Sequence, residues 1–359
     1  MRSKMCWKRK PIPQIKVQTI QDPQNVFTLP AEDGPHEGTW LQWPHRHISR
    51  FRWRRARVLE RYERAWIDMT KSLHYGERVH IIVYDEEHEE RVKNLLVKEG
   101  CDMNQIDFFI IPTDDVWCRD NGPVFVFDEN KQLHITDWEF NGWGGKFKYQ
   151  LSNQVPKCVA DYLELPMTSI PMANEGGSVE VDGHGTLMAK RSSILNSNRN
   201  KGWQQSDAEE YFRRYFGVTN FIWLDGSKGL DITDDHIDGT ARFAHGNTIV
   251  TYFRQDFLDP REYDQLKNAT NAIGKSYNIV HLPLTKRKCV GRDYGYYINY
   301  YVGNQVVLMP SFDDPNDEVA RMTLSSLYSD RAIVGIPMKD VMKDGGMIHC
   351  VTQQQPRVL

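Results

Sequence analysis

A cysteine late in the sequence has the surroundings that a nucleophile needs. Cys350 follows the glycine pair Gly345-Gly346 and precedes three consecutive glutamines, 353–355. Glycines allow positive φ angles and close backbone approach, so this pair suits a tight turn at the entrance of a buried site. A cysteine held there can react as a thiolate. The alternative is that Cys350 is a small buried apolar residue, which is the commoner role of a free cysteine.

Carboxylates and a histidine recur at a regular spacing before this cysteine. The steps are 55 residues from Asp120 to Glu175 and 61 from Glu175 to His236. The step from His236 to Cys350 is 114 residues, about two periods, and Asp238 lies beside His236. Equivalent loops converge in a closed ring of repeated units. The spacing therefore predicts that these five residues meet in one pocket.

The types of these residues favour a planar cation as the substrate. His236 is the predicted proton-transfer partner of Cys350, because carboxylates surround it in the sequence. Two or three carboxylates would repel an anionic substrate, but they pair well with the planar, multiply donating guanidinium group. Trp117 would add a cation–π contact worth roughly 0.5–2 kcal/mol when desolvated.

His349 is the rival of His236 for the role of base. It is adjacent to Cys350, and adjacent residues on an extended strand point to opposite faces. This geometry favours His236. Other polar residues near the motifs are interpreted as structural: Arg119, Asp182, Asn304, His184, His245 and His281.

Alternating and helical apolar patterns predict the elements that position these residues. The first hundred residues read as strand, helix, strand, helix, strand, with the helices over 53–73 and 86–99. Hairpin turns are predicted at 128–131, 182–185, 245–247 and 303–305, and further helices at about 152–163, 207–216, 260–277 and 317–327. Hairpin, helix and strand thus repeat about every 60 residues, which predicts a single α/β domain of repeated units.

The composition narrows the function classes. The 359 residues carry a formal net charge of −3, which gives no basic surface for nucleic acid. A mean hydropathy of −0.60 and the lack of a long apolar run argue against a membrane span. Six scattered cysteines without a CxxC pair fit a reducing cytoplasm better than a disulfide framework or a zinc site. Residues 1–28 read as a flexible basic leader without the apolar segment of a secretory signal.

Four motifs occur in the order of a known family. WxRDxGP at 117–123, NEGG at 174–177 followed by DGxGT, TDxHxD at 233–238 and GGxIHCxTQQxP at 345–356 resemble the agmatine deiminases of the guanidine-modifying superfamily. PAExGPHEGTWxxWP at 30–44 also matches. The resemblance covers residues 29–356 and implies a five-bladed, pseudo-symmetric α/β propeller, the pentein fold, as one catalytic domain over 29–359.

The resemblance also implies roles for the predicted site residues. Cys350 would be the nucleophile, His236 the general acid and base, and Asp120 and Asp238 the guanidinium clamps. Glu175 would stand beside His236. Trp117 would line the pocket. The acidic loop with Asp231, Asp234 and Asp235 would favour a substrate that has an ammonium group at its far end, and Asp234 is therefore a predicted substrate-binding residue. Asp235 departs from the family, which usually has glycine there; its carboxylate could raise the pKa of His236, hold a cationic tail or face solvent.

The implied reaction converts agmatine and water to N-carbamoylputrescine and ammonia through a thiouronium on Cys350, as a step of polyamine biosynthesis. It requires no metal or organic cofactor, and family members are commonly dimers. The alternatives within the fold are a peptidylarginine or free-arginine deiminase and, more weakly, an amidinotransferase. A catalytically silent guanidine- or polyamine-binding protein is the alternative from a different class.

Overall fold

Short strands joined by helices and tight turns make up the fold. The computed structural model describes residues 27–48 and 56–358. The strands are β1 (His36–Gln42), β2 (Arg78–Val83), β3 (Ile106–Ile110), β4 (Val124–Phe127), β5 (Leu133–Glu139), β6 (Met167–Ala173), β7 (Val179–Val181), β8 (Thr186–Lys190), β9 (Asn220–Leu224), β10 (Ala241–Ala244), β11 (Thr248–Thr251), β12 (Asn278–His281), β13 (Leu284–Val290), β14 (Asp293–Tyr296), β15 (Tyr301–Val302), β16 (Val306–Ser311), β17 (Ala332–Pro337) and β18 (Thr352–Pro356).

The helices lie between these strands or lead into them. They are α1 (Ala56–Leu73), α2 (Glu86–Lys98), α3 (Cys118–Asn121), α4 (Gly142–Gly145), α5 (Val155–Leu163), α6 (Arg191–Ile194), α7 (Gln205–Phe216), α8 (Pro260–Lys267), α9 (Asn316–Leu327), α10 (Lys339–Met342) and α11 (Ile348–Val351).

Within the described residues, five sheets share one strand order. An antiparallel pair comes first, and a third strand then runs parallel to the second. Parallel pairing needs a long crossover, which a helix supplies in each case. The five sheets are β4–β5–β6, β7–β8–β9, β10–β11–β12, β15–β16–β17 and β18–β1–β2–β3.

This repetition agrees with the predicted α/β fold of hairpin, helix and strand units. The crossovers from the second to the third strand are α5, α7, α8, α9 and α1, and α2 leads on to the fourth strand, β3, of the last sheet. The closure of the five sheets into a propeller stays a prediction. Part of the predicted leader, residues 1–26, lies outside the described residues. Phe27 is buried and Thr28 pairs with Phe127, so these two residues pack with the domain.

The fifth sheet joins the two ends of the domain. β18 pairs antiparallel with β1, so that Trp40 lies opposite Gln353. The indole N–H of Trp40 donates to Gln355 Oε1 at 2.9 Å, and both side chains are buried. The glutamine run that follows Cys350 is therefore part of a buried strand.

A short helical turn precedes the first strand of four sheets. The turns are α3 before β4, Gly176–Ser178 before β7, Ile237–Gly239 before β10 and α11 before β18. Each turn ends the connection from the previous unit and leads into the antiparallel strand pair of its sheet. These turns carry or adjoin the five residues predicted to meet.

The helix after residue 260 and the hairpin β13–β14 differ from the sequence prediction. The helix predicted to reach residue 277 ends at Lys267, because Asn271 caps a tight turn at Gly274, where φ is 79°. The hairpin β13–β14 was not predicted, because β13 is half exposed and lacks a regular alternation of apolar residues.

Helices of the described segments are too short or too polar to cross a membrane. The same segments contain no cluster of three or more histidine, cysteine or acidic side chains arranged to hold a metal ion.

Candidate active site

Cys350 lies in the short helical turn α11, at the wall of a cavity of about 490 Å³. Its thiol donates to Asn299 Oδ1 at 3.4 Å and lies 3.7 Å from Asp238 Oδ2. The backbone N–H of Cys350 also donates to Asn299 Oδ1, at 3.4 Å. The turn and Asn299 thus fix the sulfur against a carboxylate oxygen.

Three predicted side chains face one small space beside Gly177. A Cβ atom on this glycine would lie 2.7 Å from His236 Nδ1 and 3.0 Å from both Asp120 Oδ1 and Asp238 Oδ2. Because real Cβ atoms do not approach neighbours so closely, only glycine fits at this position. The NEGG motif therefore supplies Glu175 and also leaves the room in which the other groups meet.

His236 is held between carboxylates in the interior. Its Nε2 lies 3.1 Å from Glu175 Oε2, and its Nδ1 lies 3.8 Å from Asp120 Oδ1. Burial alone would lower the pKa of His236, but Asp120, Glu175 and Asp238 outweigh burial and raise it to about 9. His236 is therefore an imidazolium at neutral pH and can donate a proton.

The carboxylates around His236 differ in charge state. Burial, reinforced by Asp238 and Glu175, raises the pKa of Asp120 to about 6. Burial also opposes the charge of Glu175, but Arg199, whose Nε donates to Glu175 Oε1 at 2.7 Å, helps to lower its pKa. Glu175 thus stays ionised, whereas Asp120 can change its charge near physiological pH.

Cys350 is a thiol in the free protein. Burial and the neighbouring carboxylates Asp238 and Asp120 raise the pKa of Cys350 well above its ordinary value. The turn alone suggested a lowered pKa for Cys350 and the carboxylates near it in the predicted pocket a raised one, and the structure agrees with the second direction. A cationic group bound between the two aspartates would favour the thiolate.

Asn299 was not predicted, although the period could have found it. It lies just before β15, at the position in the fourth hairpin unit that corresponds to the other site residues. The spacing from His236 to Cys350 covers two periods, and Asn299 occupies the unit between them. It is a buried residue that lines the cavity.

Trp143 and Arg199 were also not predicted. The indole N–H of Trp143 donates to Asp120 Oδ2 at 2.8 Å and fixes this carboxylate from behind. Trp143 has a φ of 56° in the glycine-rich turn α4, a backbone strain that is typical of functional sites. The glycine run around Trp143 is a signal of that turn, whereas nothing in the sequence around Arg199 indicates its pairing with Glu175.

Trp117 lies beneath the nucleophile. Gly346 allows this approach, because a Cβ there would lie 2.5 Å from the Trp117 ring and 3.1 Å from Cys350 Cβ. The ring is buried, and it is not among the residues that line the cavity. The contact with Gly346 thus supports the turn that carries Cys350.

Asp234 has partners other than a substrate. Its Oδ2 accepts from Lys146 Nζ at 2.6 Å and from Arg199 at 2.8 Å, while its Oδ1 accepts from Gly229 N–H. Burial is outweighed by Lys146 and Arg199, and the pKa of Asp234 falls to about 2. From the sequence we expected Asp234 to bind the substrate. In the structure these partners occupy its carboxylate, and Asp234 is not among the residues that line the cavity.

Asp235 is buried and paired with a buried lysine. Its Oδ1 accepts from Lys190 Nζ at 2.6 Å, and its Oδ2 accepts from Ser227 N–H at 3.0 Å. This pairing does not agree with two of the roles considered for Asp235 from the sequence. The carboxylate does not face solvent, and it is not one of the main groups that raise the pKa of His236. The acidic neighbours that raise the His236 pKa are Asp120, Glu175 and Asp238.

His349 was set aside as a base on the assumption of an extended strand, which is wrong. Residues 349 and 350 lie in the helical turn α11, so alternation of faces does not apply to them. Both ring nitrogens of His349 nevertheless contact carboxylates at 2.8 Å, Asp238 on one side and Glu32 on the other. Because carboxylates occupy both ring nitrogens of His349, His236 remains the preferred residue for proton transfer.

The sequence model of the Porphyromonas-type peptidyl-arginine deiminase family matches residues 28–356. This chain belongs to that family. The predicted resemblance to the agmatine deiminases is confirmed, and so is the prediction of an enzyme that hydrolyses a guanidine C–N bond.

Individual relatives in this family match along almost their whole length. A Streptomyces coelicolor protein named "Putative agmatine deiminase" is 33% identical, with 92% of this chain and 99% of that protein covered. A Legionella pneumophila protein of the same name is 32% identical, with 93% and 96% covered. A solved variant of the C. jejuni agmatine deiminase with substrate bound has a TM-score of 0.82 and 25% identity, with 95% and 100% covered.

Proposed function

We propose that this enzyme is an agmatine deiminase that converts agmatine and water to N-carbamoylputrescine and ammonia. The meeting of Asp120, Asp238 and His236 around Gly177, beside the thiol of Cys350, carries the proposal. Two carboxylates on either side of a planar cation recognise guanidinium by paired, charge-assisted hydrogen bonds. The similarity to proteins named as agmatine deiminases supports the choice of substrate.

In the first half-reaction, Cys350 attacks the guanidinium carbon held between Asp120 and Asp238. The C–S bond forms, and the positive charge of the guanidinium is neutralised in the tetrahedral adduct. His236, an imidazolium at neutral pH, then gives its proton to a terminal amino group, and the C–N bond to that group breaks to release ammonia. The product of this step is a thiouronium on Cys350.

In the second half-reaction, the neutral His236 removes a proton from water. The resulting hydroxide adds to the thiouronium carbon. The C–S bond then breaks as the carbonyl forms, and the hydroxyl proton goes to the leaving Cys350 sulfur, which becomes a thiol again. N-carbamoylputrescine leaves, and His236 holds the proton that it donates in the next cycle. The contact of His236 with Glu175 stabilises the imidazolium that forms again in this step.

The substrate itself activates the nucleophile in this proposal. The thiol of Cys350 has a raised pKa because burial and Asp238 disfavour its anion. A guanidinium bound between the aspartates cancels that repulsion, so the thiol loses its proton to water only in the complex. The enzyme would thus keep Cys350 unreactive until a cation is in place.

The lining of the cavity favours an ammonium group over a carboxylate. Asp231, Asp256 and Asp259 are among the residues that line it. Of the described lining residues, the two permanent cations are each paired with an aspartate, Lys190 with Asp235 and Arg261 with Asp259. A free-arginine substrate would bring a carboxylate and find no unpaired cation among these lining residues, so agmatine fits better than arginine.

Ammonia release tests the proposal. We expect the wild type to deiminate agmatine with a higher kcat/KM than arginine, and Cys350→Ala to lose turnover. Cys158→Ala, which removes a half-buried cysteine on α5, is the matched control and should keep full activity. Turnover by Cys350→Ala would exclude the covalent mechanism, and a preference for arginine would favour the alternative substrate.

The shape, pathway and assembly of the enzyme are proposed together with its reaction. We infer that the five sheets close into the five-bladed propeller of the pentein fold. The product would supply putrescine and polyamine biosynthesis in the cytoplasm. A homodimer is the expected assembly, and sedimentation of the purified protein tests it.

A further inference from the structure

A buried histidine next to the nucleophile has a carboxylate at each ring nitrogen. His349 Nδ1 lies 2.8 Å from Asp238 Oδ2, and Nε2 lies 2.8 Å from Glu32 Oε2. The backbone of His349 is fixed as well, since its N–H donates to Asn299 O at 3.2 Å and its carbonyl accepts from Arg119 Nε at 3.3 Å. The proposed mechanism leaves this residue unused.

Glu32 is a rigid anchor for the outer side of the ring. Its Oε2 also accepts from Arg119 at 3.1 Å, while its Oε1 accepts from Arg242 at 2.9 Å and from Val302 N–H at 3.0 Å. These partners come from three separate parts of the chain. Glu32 cannot rotate without breaking several charge-assisted hydrogen bonds, so the Nε2 end of His349 is held in place.

On its inner side, His349 contacts the oxygen of Asp238 that faces the reacting groups. Asp238 Oδ2 lies 3.7 Å from the Cys350 sulfur, and it is also the oxygen that faces Gly177. A carboxylate that can turn about its Cβ–Cγ bond would present this oxygen only part of the time. The N–H of His349 Nδ1 restricts that rotation from behind.

We propose that His349 is a positioning residue, a strut between Glu32 and Asp238 that holds the carboxylate of Asp238 in the orientation needed beside the Cys350 sulfur. The role of Asp238 as a guanidinium clamp rests on the proposed function. His349 does not act as the base, because a carboxylate engages each of its ring nitrogens and leaves neither free to take a proton from water. The strut joins the PAExGPHEGTW motif to the nucleophile turn.

Two substitutions by amide residues test the two contacts of His349 independently. The side-chain nitrogen of asparagine can take the place of Nδ1, so His349→Asn keeps a donor to Asp238. The longer glutamine places its nitrogen near Nε2, so His349→Gln keeps a donor to Glu32 and leaves Asp238 without one. Steady-state kinetics on agmatine and thermal unfolding are measured for both variants, with Cys158→Ala as control.

We expect His349→Gln to lower kcat about 10- to 100-fold, the range that loss of one hydrogen bond to a charged group corresponds to. His349→Asn should stay within about threefold of wild type, since its donor to the reacting carboxylate remains. A merely structural role predicts equal losses in both variants, in step with their unfolding temperatures. Equal losses, or a fully active His349→Gln, would overturn the proposal.

The rate of Cys350 alkylation by iodoacetamide gives a second readout that needs no substrate. Asp238 disfavours the thiolate, so its displacement in His349→Gln should speed alkylation, whereas His349→Asn should react like wild type. This result stands even if agmatine proves not to be the substrate, because wild type and Cys350→Ala test that point separately. If His349→Gln does not fold, a large loss of kcat in folded His349→Asn would still refute the strut.

Discussion

At the scale of single residues, the site depends on a position that has no side chain, Gly177. Gly177 lies where any side chain would enter the space shared by His236, Asp120 and Asp238. In the proposed reaction, the planar group of the substrate occupies that space, and a displaced carboxylate would lose its paired hydrogen bonds to that group. Glycine at this position is thus as necessary to the proposed chemistry as the residues that carry charge.

A single methyl group tests this requirement. We expect Gly177→Ala to lower kcat/KM for agmatine at least about 100-fold, because a shift of the clamps by a fraction of an ångström removes their alignment. Gly239→Ala is the matched control: Gly239 lines the same cavity, and a Cβ there would meet nothing within 4 Å. Equal activities of the two variants would contradict the proposed convergence.

The charge of His236 predicts a pH dependence of stability. Its folded-state pKa of about 9 lies above the ordinary value of 6.5, so the protonated form stabilises the fold. That contribution is fully present below pH 6.5 and is lost as the pH rises to about 9. Its size is on the order of 3 kcal/mol, from about 1.4 kcal/mol per pKa unit.

Urea unfolding at several pH values measures this loss. The free energy of unfolding of wild type should fall between pH 6.5 and 9 more steeply than that of His236→Asn. The difference between the two proteins removes the contribution of groups far from His236 whose pKa is also raised, such as His80. Parallel curves would show that His236 is not protonated in the folded protein.

At the scale of elements, the loop between β9 and β10 forms one wall of the cavity. Asp235 is the residue that ties this wall down, through Ser227 at one oxygen and Lys190 at the other. It has a φ of 75°, which glycine would adopt with less strain. The ion pair with Lys190 compensates for that strain and neutralises a buried cation beside the substrate.

Asp235→Gly should therefore raise the KM for agmatine and leave kcat nearly unchanged. The unpaired ammonium of Lys190 would repel a cationic substrate, with Glu262, 3.6 Å away, as its remaining acidic partner. The double variant Asp235→Gly, Lys190→Met should recover a low KM, since it removes the cation as well. A single variant with wild-type KM would show that the pair serves only the loop.

The elements also show which part of the site could be predicted from the sequence. Regular spacing placed Asp120, Glu175, His236, Asp238 and Cys350 together, because loops at equivalent points of repeated units are brought close by the fold itself. Trp143 was missed, since its contact depends on a left-handed turn that returns the indole to Asp120. Periodicity carries no information on such irregular backbone.

The error on His349 has the same origin. The prediction assumed an extended strand at residues 349 and 350, whereas the glycines at 345 and 346 lead into a helical turn. The partners of Asp234 could not be predicted for a different reason. Charge alone indicated an ammonium partner, and the sequence does not show that Arg199 and Lys146, at distant positions, occupy that carboxylate.

At the scale of the whole molecule, the two ends of the domain are joined in one sheet. Deleting residues 352–359 removes β18, leaves the edge of β1 unpaired and takes away the buried glutamines. We expect this variant not to fold, by circular dichroism, and to release no ammonia. Deleting residues 357–359 is the control and should keep activity, because it leaves β18 intact. A folded chain without β18 would contradict this account.

Cys350 is the last of the predicted site residues to be synthesised. The ribosome delivers the clamps, the proton donor and Asn299 first, and the sulfur after all of them. A chain that stalls before residue 350 carries the residues that would bind a guanidinium and has no means to cleave it. The proposed site is therefore complete only in a chain whose last strand, β18, has been made and is paired with β1.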